Sequence, residues 1–227
     1  MLSCICVSDT HNQVASLHNH RMFQDKEYDV LLHAGDLTFT GDITSMLREL
    51  ESIASLPGIK HKIIIPGNHD FIFERNEDAK NQFKKYFPEL TILINETVTI
   101  TDVNGDKFNI YGSPVTPEFY NWAFNVRRGE EIKRYWDRIP SNTDILVTHG
   151  PPYGVLDQLP TTYEYVGCHD LWDTIQDRLY NLKLHVFGHI HTGYGERTKN
   201  NITFINASIC NSNYVPTNDP VHIEVYK

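Results

Sequence analysis

Five times along this chain a short apolar run breaks off into a polar cluster, and that pattern limits the possible folds more than any other feature. Leu2–Val7 runs into Ser8-Asp9-Thr10-His11, Val30–Leu32 into His33-Ala34-Gly35-Asp36, and Lys62–Ile65 into Pro66-Gly67-Asn68-His69-Asp70. Asp144–Val147 leads to Thr148-His149-Gly150-Pro151-Pro152, and Leu184–Phe187 to Gly188-His189-Ile190-His191. Runs this short, rich in Val, Ile and Leu and apolar at nearly every position, are the pattern of strands buried on both faces. Such strands need covering layers. Apolar residues recurring at spacings of three and four predict helices over Ile43–Leu56, Phe73–Phe87, Gly129–Arg138 and Cys168–Leu179. Strand and helix in alternation predict an α/β architecture. Between Leu90 and Tyr111 extended runs flank Asn104-Gly105, a hairpin signal, and Ile202–Ala207 and Val221–Tyr226 also read as strands, so a second, more antiparallel sheet is expected.

At 227 residues the chain is sized for one domain spanning 1–227, and no linker or internal repeat divides it. Its formal charge of −9 sets the surface as a whole against polyanions, which argues against long nucleic acids as partners. No apolar run approaches the roughly 20 residues of a membrane span, and Leu2–Val7 is too short for a signal peptide, so a cytoplasmic location is expected. Cys4, Cys6, Cys168 and Cys210 form neither a C-x-x-C pair nor a disulfide framework and read as buried thiols. With twelve histidines beside these four cysteines, any metal ligands should be nitrogen and oxygen.

In α/β sheets ligands bind beyond the carboxyl ends of the strands, so the five polar clusters can meet in space although they span residues 9 to 191. Pooled there, Asp9, His11, Asp36, Asn68, His69, His149, His189 and His191 offer carboxylates, imidazoles and an amide, a set suited to two divalent ions of the kind Mn, Zn, Fe, Co or Mg. Asp36 can give one oxygen to each ion. Asp9, His11 and His191 would complete the first, and Asn68, His149 and His189 the second. A bridging water acidified by both ions would become a hydroxide that attacks phosphorus. His69, left without an ion beside Asn68, is the candidate to assist the leaving oxygen.

Asp9-Thr10-His11, Gly35-Asp36, Gly67-Asn68-His69-Asp70, Thr148-His149-Gly150 and Gly188-His189-Ile190-His191 together resemble the calcineurin-like metallophosphoesterases, in that family's order and over nearly the whole chain. His33-Ala34-Gly35-Asp36, Tyr111-Gly112-Ser113-Pro114 and Val186–Gly195 are similar to the metallophosphoesterase-domain class III phosphodiesterases. The resemblance implies a four-layer αββα sandwich of two mixed sheets flanked by helices, a dinuclear centre, and hydrolysis of small phosphodiesters, nucleotides and cyclic nucleotides included. Unlike the protein serine/threonine phosphatases of the superfamily, the chain follows Asp36 with Leu37-Thr38-Phe39 rather than Asp-Arg-Gly, and so lacks their arginine clamp on phosphate. A phosphomonoesterase or protein-phosphatase-like activity on the same centre, and a non-catalytic scaffold, stay open as alternatives.

Around these blocks, Asp70 is expected to orient the loop after His69, His33 to support Asp36, and Asn206 to brace an imidazole. Phe119, Tyr120 and Trp122 are candidates for a wall that stacks a base or aryl group above the ions. The substrate expected is a small phosphate ester or nucleotide; the sequence leaves the oligomeric state open.

Overall fold

The computed structural model describes residues 1–24 and 26–227. Its regular elements run β1 (Leu2–Val7), β2 (Tyr28–His33), α1 (Ile43–Ala54), β3 (Ile59–Ile64), α2 (Ile72–Arg75), α3 (Ala79–Tyr86), β4 (Leu90–Ile92), β5 (Glu96–Thr101), β6 (Lys107–Ser113), β7 (Thr116–Pro117), β8 (Asn125–Val126), α4 (Glu130–Trp136), β9 (Ile145–Thr148), α5 (His169–Arg178), β10 (Leu184–Phe187), β11 (Gly195–Lys199), β12 (Ile202–Asn206) and β13 (Val221–Val225). One sheet has the order β13-β1-β2-β3-β4, a second β11-β12-β10-β9-β6-β5, and β7 and β8 pair apart from both.

Strand periodicity explains the layering. On β1, Cys4 and Cys6 share a face with Val30 and Leu32 of β2 and pack against Ile110, Val147, Val186 and Ile205 of the other sheet, forming a core between the two. The alternate residues Ile5, Val7, Leu31 and Ile64 point outward to Met46, Leu50 and Ile53 of α1 and Phe83 of α3. On the far side, Leu146 and Phe204 meet Ile132 and Trp136 of α4 and Leu171 and Ile175 of α5. Three apolar interfaces separate four layers, which is the αββα sandwich of two mixed sheets. It also explains the near-continuous apolar runs, since both faces of each central strand are covered.

Two local expectations need correction. The second sheet is not predominantly antiparallel: β12, β10, β9 and β6 run parallel, and only the edge pairs β11–β12 and β5–β6 are antiparallel. The hairpin at Asn104-Gly105 is real but is confined to that edge, because α4 and α5 cover its inner strands as crossover helices do. Phe73–Phe87 is not one helix. It divides into α2 and α3 at Asn76, whose Oδ1 accepts from the Asp78 amide at 3.1 Å and whose carbonyl accepts from the Ala79 amide at 3.0 Å, so a local turn takes the amides that would continue the helix. By contrast α1 begins as expected, with Asp42 accepting from the Ser45 amide at 2.9 Å.

The four cysteines are free and buried. No helix of the described residues is long and apolar enough to cross a membrane. Leu32, with no exposed surface, sits in the core between the sheets, so Leu32→Ala should lower the unfolding free energy by about 2–5 kcal/mol in urea titrations.

Candidate metal centre

All five polar clusters leave their strands at the same end of the two sheets, and the turns are sharp. Asp9, His11, Asp36 and His189 all adopt left-handed backbone, with φ of 52°, 42°, 56° and 65°. For non-glycine residues this conformation costs on the order of 1 kcal/mol each, a strain that collects where side-chain direction matters more than backbone comfort. Two glycines make room for the carboxylates. A Cβ on Gly188 would land on the Asp9 carboxylate and the Ser8 hydroxyl, and one on Gly67 on the Asp36 carboxylate and amide. Both positions therefore take only glycine without displacing an acid.

The side chains so aimed converge. Donor atoms of Asp9, His11 and His191 lie within 4.8 Å of one another, as do those of His11, Asp36 and His69 and those of Asp36, His149 and His189. Asp36 and His11 each belong to two of these groups. Asn68 joins the third, its Oδ1 being 2.8 Å from His149 Nε2, which is itself 3.3 Å from Asp36 Oδ2. Asp9 and Asp36 are 0% and 2% exposed. Thus every residue proposed from the sequence as an ion ligand, together with His69, is brought to one place.

The imidazoles are oriented alike. Nδ1 of His11, His69, His149 and His191 faces the backbone carbonyls of Thr38, Phe39, Ala34 and Asn211 at 3.3, 2.7, 2.9 and 2.9 Å. With Nδ1 turned to a carbonyl, Nε2 is the atom each ring presents toward the carboxylates and the one left to coordinate a cation once unprotonated. His11 Nε2 and His191 Nε2 lie only 3.3 Å apart. Imidazole nitrogens crowded against each other and against two buried carboxylates, with no thiolate in the set, form a donor shell that fits divalent cations.

The electrostatics point the same way. Burial opposes charge on Asp9, yet the hydrogen bond and charge of His191, with His149 and His11 behind it, hold its carboxyl well below the usual range. Asp36 is likewise buried and is held low by His149, His69 and His11. Burial alone would lower His149, but the Asp36 carboxylate raises it to about 9. His189, by contrast, is lowered by burial to about 4. Without a cation the carboxylates lean on imidazolium protons; a cation can take the place of those protons.

A surrounding shell holds this arrangement. Asp70 was expected to orient the loop after His69; its carboxylate instead accepts from the amides of Leu37, Thr38 and Gly67 and from the Thr38 hydroxyl at 2.8–3.1 Å, tying the loop after Asp36 to the turn before His69. His33 Nε2 lies 3.0 Å from the Thr10 hydroxyl and its Nδ1 accepts from the Gly35 amide, so it ties together the turns carrying Asp9 and Asp36. Asn206 does not brace an imidazole side chain. Its amide donates to the Ile190 carbonyl at 2.9 Å and its oxygen accepts from Ser208, whose hydroxyl in turn donates to Asp9 at 2.9 Å. Being at the end of β12, Asn206 reaches the loop between the two histidines rather than either ring.

The centre opens into a groove of about 540 Å³ whose lining includes Asp36, His69, Trp122, His189 and Tyr214. Phe119 and Tyr120 meet edge to face at its rim, 57% and 76% exposed. Trp122 is more than a wall: its ring lies 4.1 Å from that of His69, centroid to centroid. Tyr214 and Phe39, which the sequence offered no reason to choose, pack on the His11 ring at 4.8 and 5.2 Å. Phe39 follows directly after the Asp36 block; Tyr214 comes from a loop with no charged motif, and only its fold-back onto Asn211 brings it here.

This fold and this donor shell define a metal-dependent phosphoesterase of the calcineurin-like class. The calcineurin-like phosphoesterase family model matches residues 2–193, and the chain belongs to that family. It is 39% identical over 236 residues to metallophosphoesterase domain-containing protein 1 of Homo sapiens, covering 97% of this chain and 70% of that protein. Among solved structures it is similar in fold to TT1561 of Thermus thermophilus (TM-score 0.62, 13% identity, 90% of this chain and 88% of that one). It is also similar to the phosphopantetheinyl hydrolase PptH of Mycobacterium tuberculosis (TM-score 0.61, 15% identity, 93% and 90%).

Two outcomes are expected. Gly188→Ala should weaken Mn²⁺ or Zn²⁺ binding about 10–100-fold in competition with a chelating indicator, through displaced Asp9. The Asp36 carboxylate raises His149 to about 9, which favours a proton on the ring at neutral pH that coordination must displace. Adding metal in weak buffer at pH 7 should therefore release protons, and affinity should rise with pH toward 9.

Proposed function

We propose that the chain is a phosphodiesterase acting on small phosphodiesters, with nucleotides and cyclic nucleotides within its range. The observation that carries this reading is the chain of three donor groups linked through His11 and Asp36 at the base of an open groove. Asp9, His11 and His191 would hold one divalent cation and Asn68, His149 and His189 the other, with Asp36 shared between them. Two cations held there supply a water of lowered pKa and neutralise charge on a phosphoryl group.

The chain's own residues provide the remainder. His69 has Nδ1 bonded to the Phe39 carbonyl, so Nε2 is the atom free to pass a proton to the leaving oxygen. Its ring packs 4.1 Å from that of Trp122 and meets that of His11 nearly at right angles, 4.9 Å away, and these contacts orient it. Trp122, Phe119 and Tyr120 present aromatic surface to whatever group the phosphate carries. The charge of −9 keeps long nucleic acids away from the rest of the surface, while small esters reach the groove.

A screen of metal-reconstituted protein against bis(p-nitrophenyl) phosphate, p-nitrophenyl phosphate and 2′,3′- and 3′,5′-cyclic nucleotides tests this. The diesters should be the better substrates. His69→Gln should lower kcat about 10²–10⁴-fold with metal content retained, and Asp36→Asn should lose metal and activity together. A preference for the monoester would move the assignment to a phosphomonoesterase; silence against every ester with both metals bound would favour a non-catalytic scaffold.

A further inference from the structure

Beside the donor-lined groove lies a second, smaller cavity of about 190 Å³. Its walls are apolar: Pro117, Phe119, Pro151, Leu159, Val166 and Ile190. It shares Phe119, Leu159, His189 and Ile190 with the groove but touches neither His69 nor Trp122, so it joins the site at the His189 end, away from the candidate proton donor. The charged residues in its lining are already engaged. Arg128 donates to the carbonyls of Gly167 and Val166 at 2.7 and 2.6 Å, and Glu118 pairs with Arg127 at 3.7 Å.

Those bonds also make the cavity preformed. The Asp157 carboxylate accepts from the amides of Gly154 and Gly167 at 3.0 and 2.8 Å and closes the loop that carries Leu159 and Val166. Arg128 then fastens that loop to the opposite wall. An apolar cavity of about 150 Å³ is large enough for benzene, so the space here accommodates one phenyl-sized group.

From this we infer that the cavity binds the organic substituent that stays on phosphorus, so that the preferred substrates are phosphodiesters in which the retained group is apolar and up to about the size of a phenyl ring. The inference rests on the phosphodiesterase reading above. In hydrolysis water's oxygen bonds to phosphorus, the P–O bond to the leaving alcohol breaks, and a proton passes to the leaving oxygen; the second ester oxygen and its substituent remain. Attack and departure lie roughly in line, with the leaving oxygen toward His69. A second substituent must then extend elsewhere, and the apolar cavity at the His189 end is where burial favours it. A monoester has nothing to place there.

Methyl p-nitrophenyl phosphate and phenyl p-nitrophenyl phosphate share a leaving group and differ only in what is retained. The metal-loaded wild type should prefer the phenyl ester roughly tenfold or more in kcat/KM. Val166→Trp, and independently Leu159→Trp, should bring that ratio to within about threefold of unity by filling the cavity; a ratio is insensitive to a uniform loss of active protein. Calorimetric titration with methylphosphonate and phenylphosphonate, whose P–C bonds are not hydrolysed, reads the same selectivity without turnover. Turnover of both esters with a ratio near one, or a ratio unchanged in both variants, overturns the pocket assignment alone. Phenyl-selective binding that the variants abolish, in a protein that hydrolyses neither ester, supports the pocket and overturns the catalytic reading instead.

Discussion

The structure turns on two buried carboxylates. Asp9 and Asp36 stand almost wholly out of water, where an isolated charge would cost far more than a domain's net stability can absorb. What makes them tolerable is a dense set of compensating groups: backbone amides of His189 and His69 donating to them, the Ser208 hydroxyl, and imidazoles within hydrogen-bonding or ion-pair reach. Divalent cations would complete that compensation with net positive charge. The left-handed turns at Asp9, His11, Asp36 and His189, and the bare Cα positions of Gly67 and Gly188, are consequences of bringing so many polar groups to one point.

The fold can hold this cluster because four layers make its base rigid. Strands covered on both faces cannot shift without disturbing an apolar interface, and their carboxyl ends are therefore fixed relative to one another across the two sheets. Position is refined by a second tier. Asp70 collects four donors from two loops, His33 links two strand ends, and Asn206 acts through Ser208 on Asp9. The loops above add the aromatic rings and the small apolar cavity that border the centre.

Much of this was legible in the residues. The five strand runs and their polar endings are local patterns governed by period-two burial, and each of them forms close to where it was expected. The convergence of the candidate donors could be read because each member sits within a few residues of a strand end, so topology alone brings them together. Features that depend on contacts between distant segments were hidden. Tyr214 reaches His11 only because the chain between β12 and β13 folds back over the centre, and Trp122 meets His69 through a loop with no regular periodicity. The parallel centre of the second sheet was likewise obscured, because strand direction depends on which crossover connects a strand, not on its composition.

Local chemistry in the sequence was enough to determine the class of fold, the donors and their grouping at strand ends, because burial periodicity and ligand type are properties of single segments. Only the tertiary structure decided which ring supports which, that Asn206 serves the loop instead of an imidazole, and that an apolar cavity opens at the His189 end of the groove. Those outcomes are set by the spacing between loops that the sheets hold at fixed distances, and spacing across the molecule is not encoded in any one stretch of the chain.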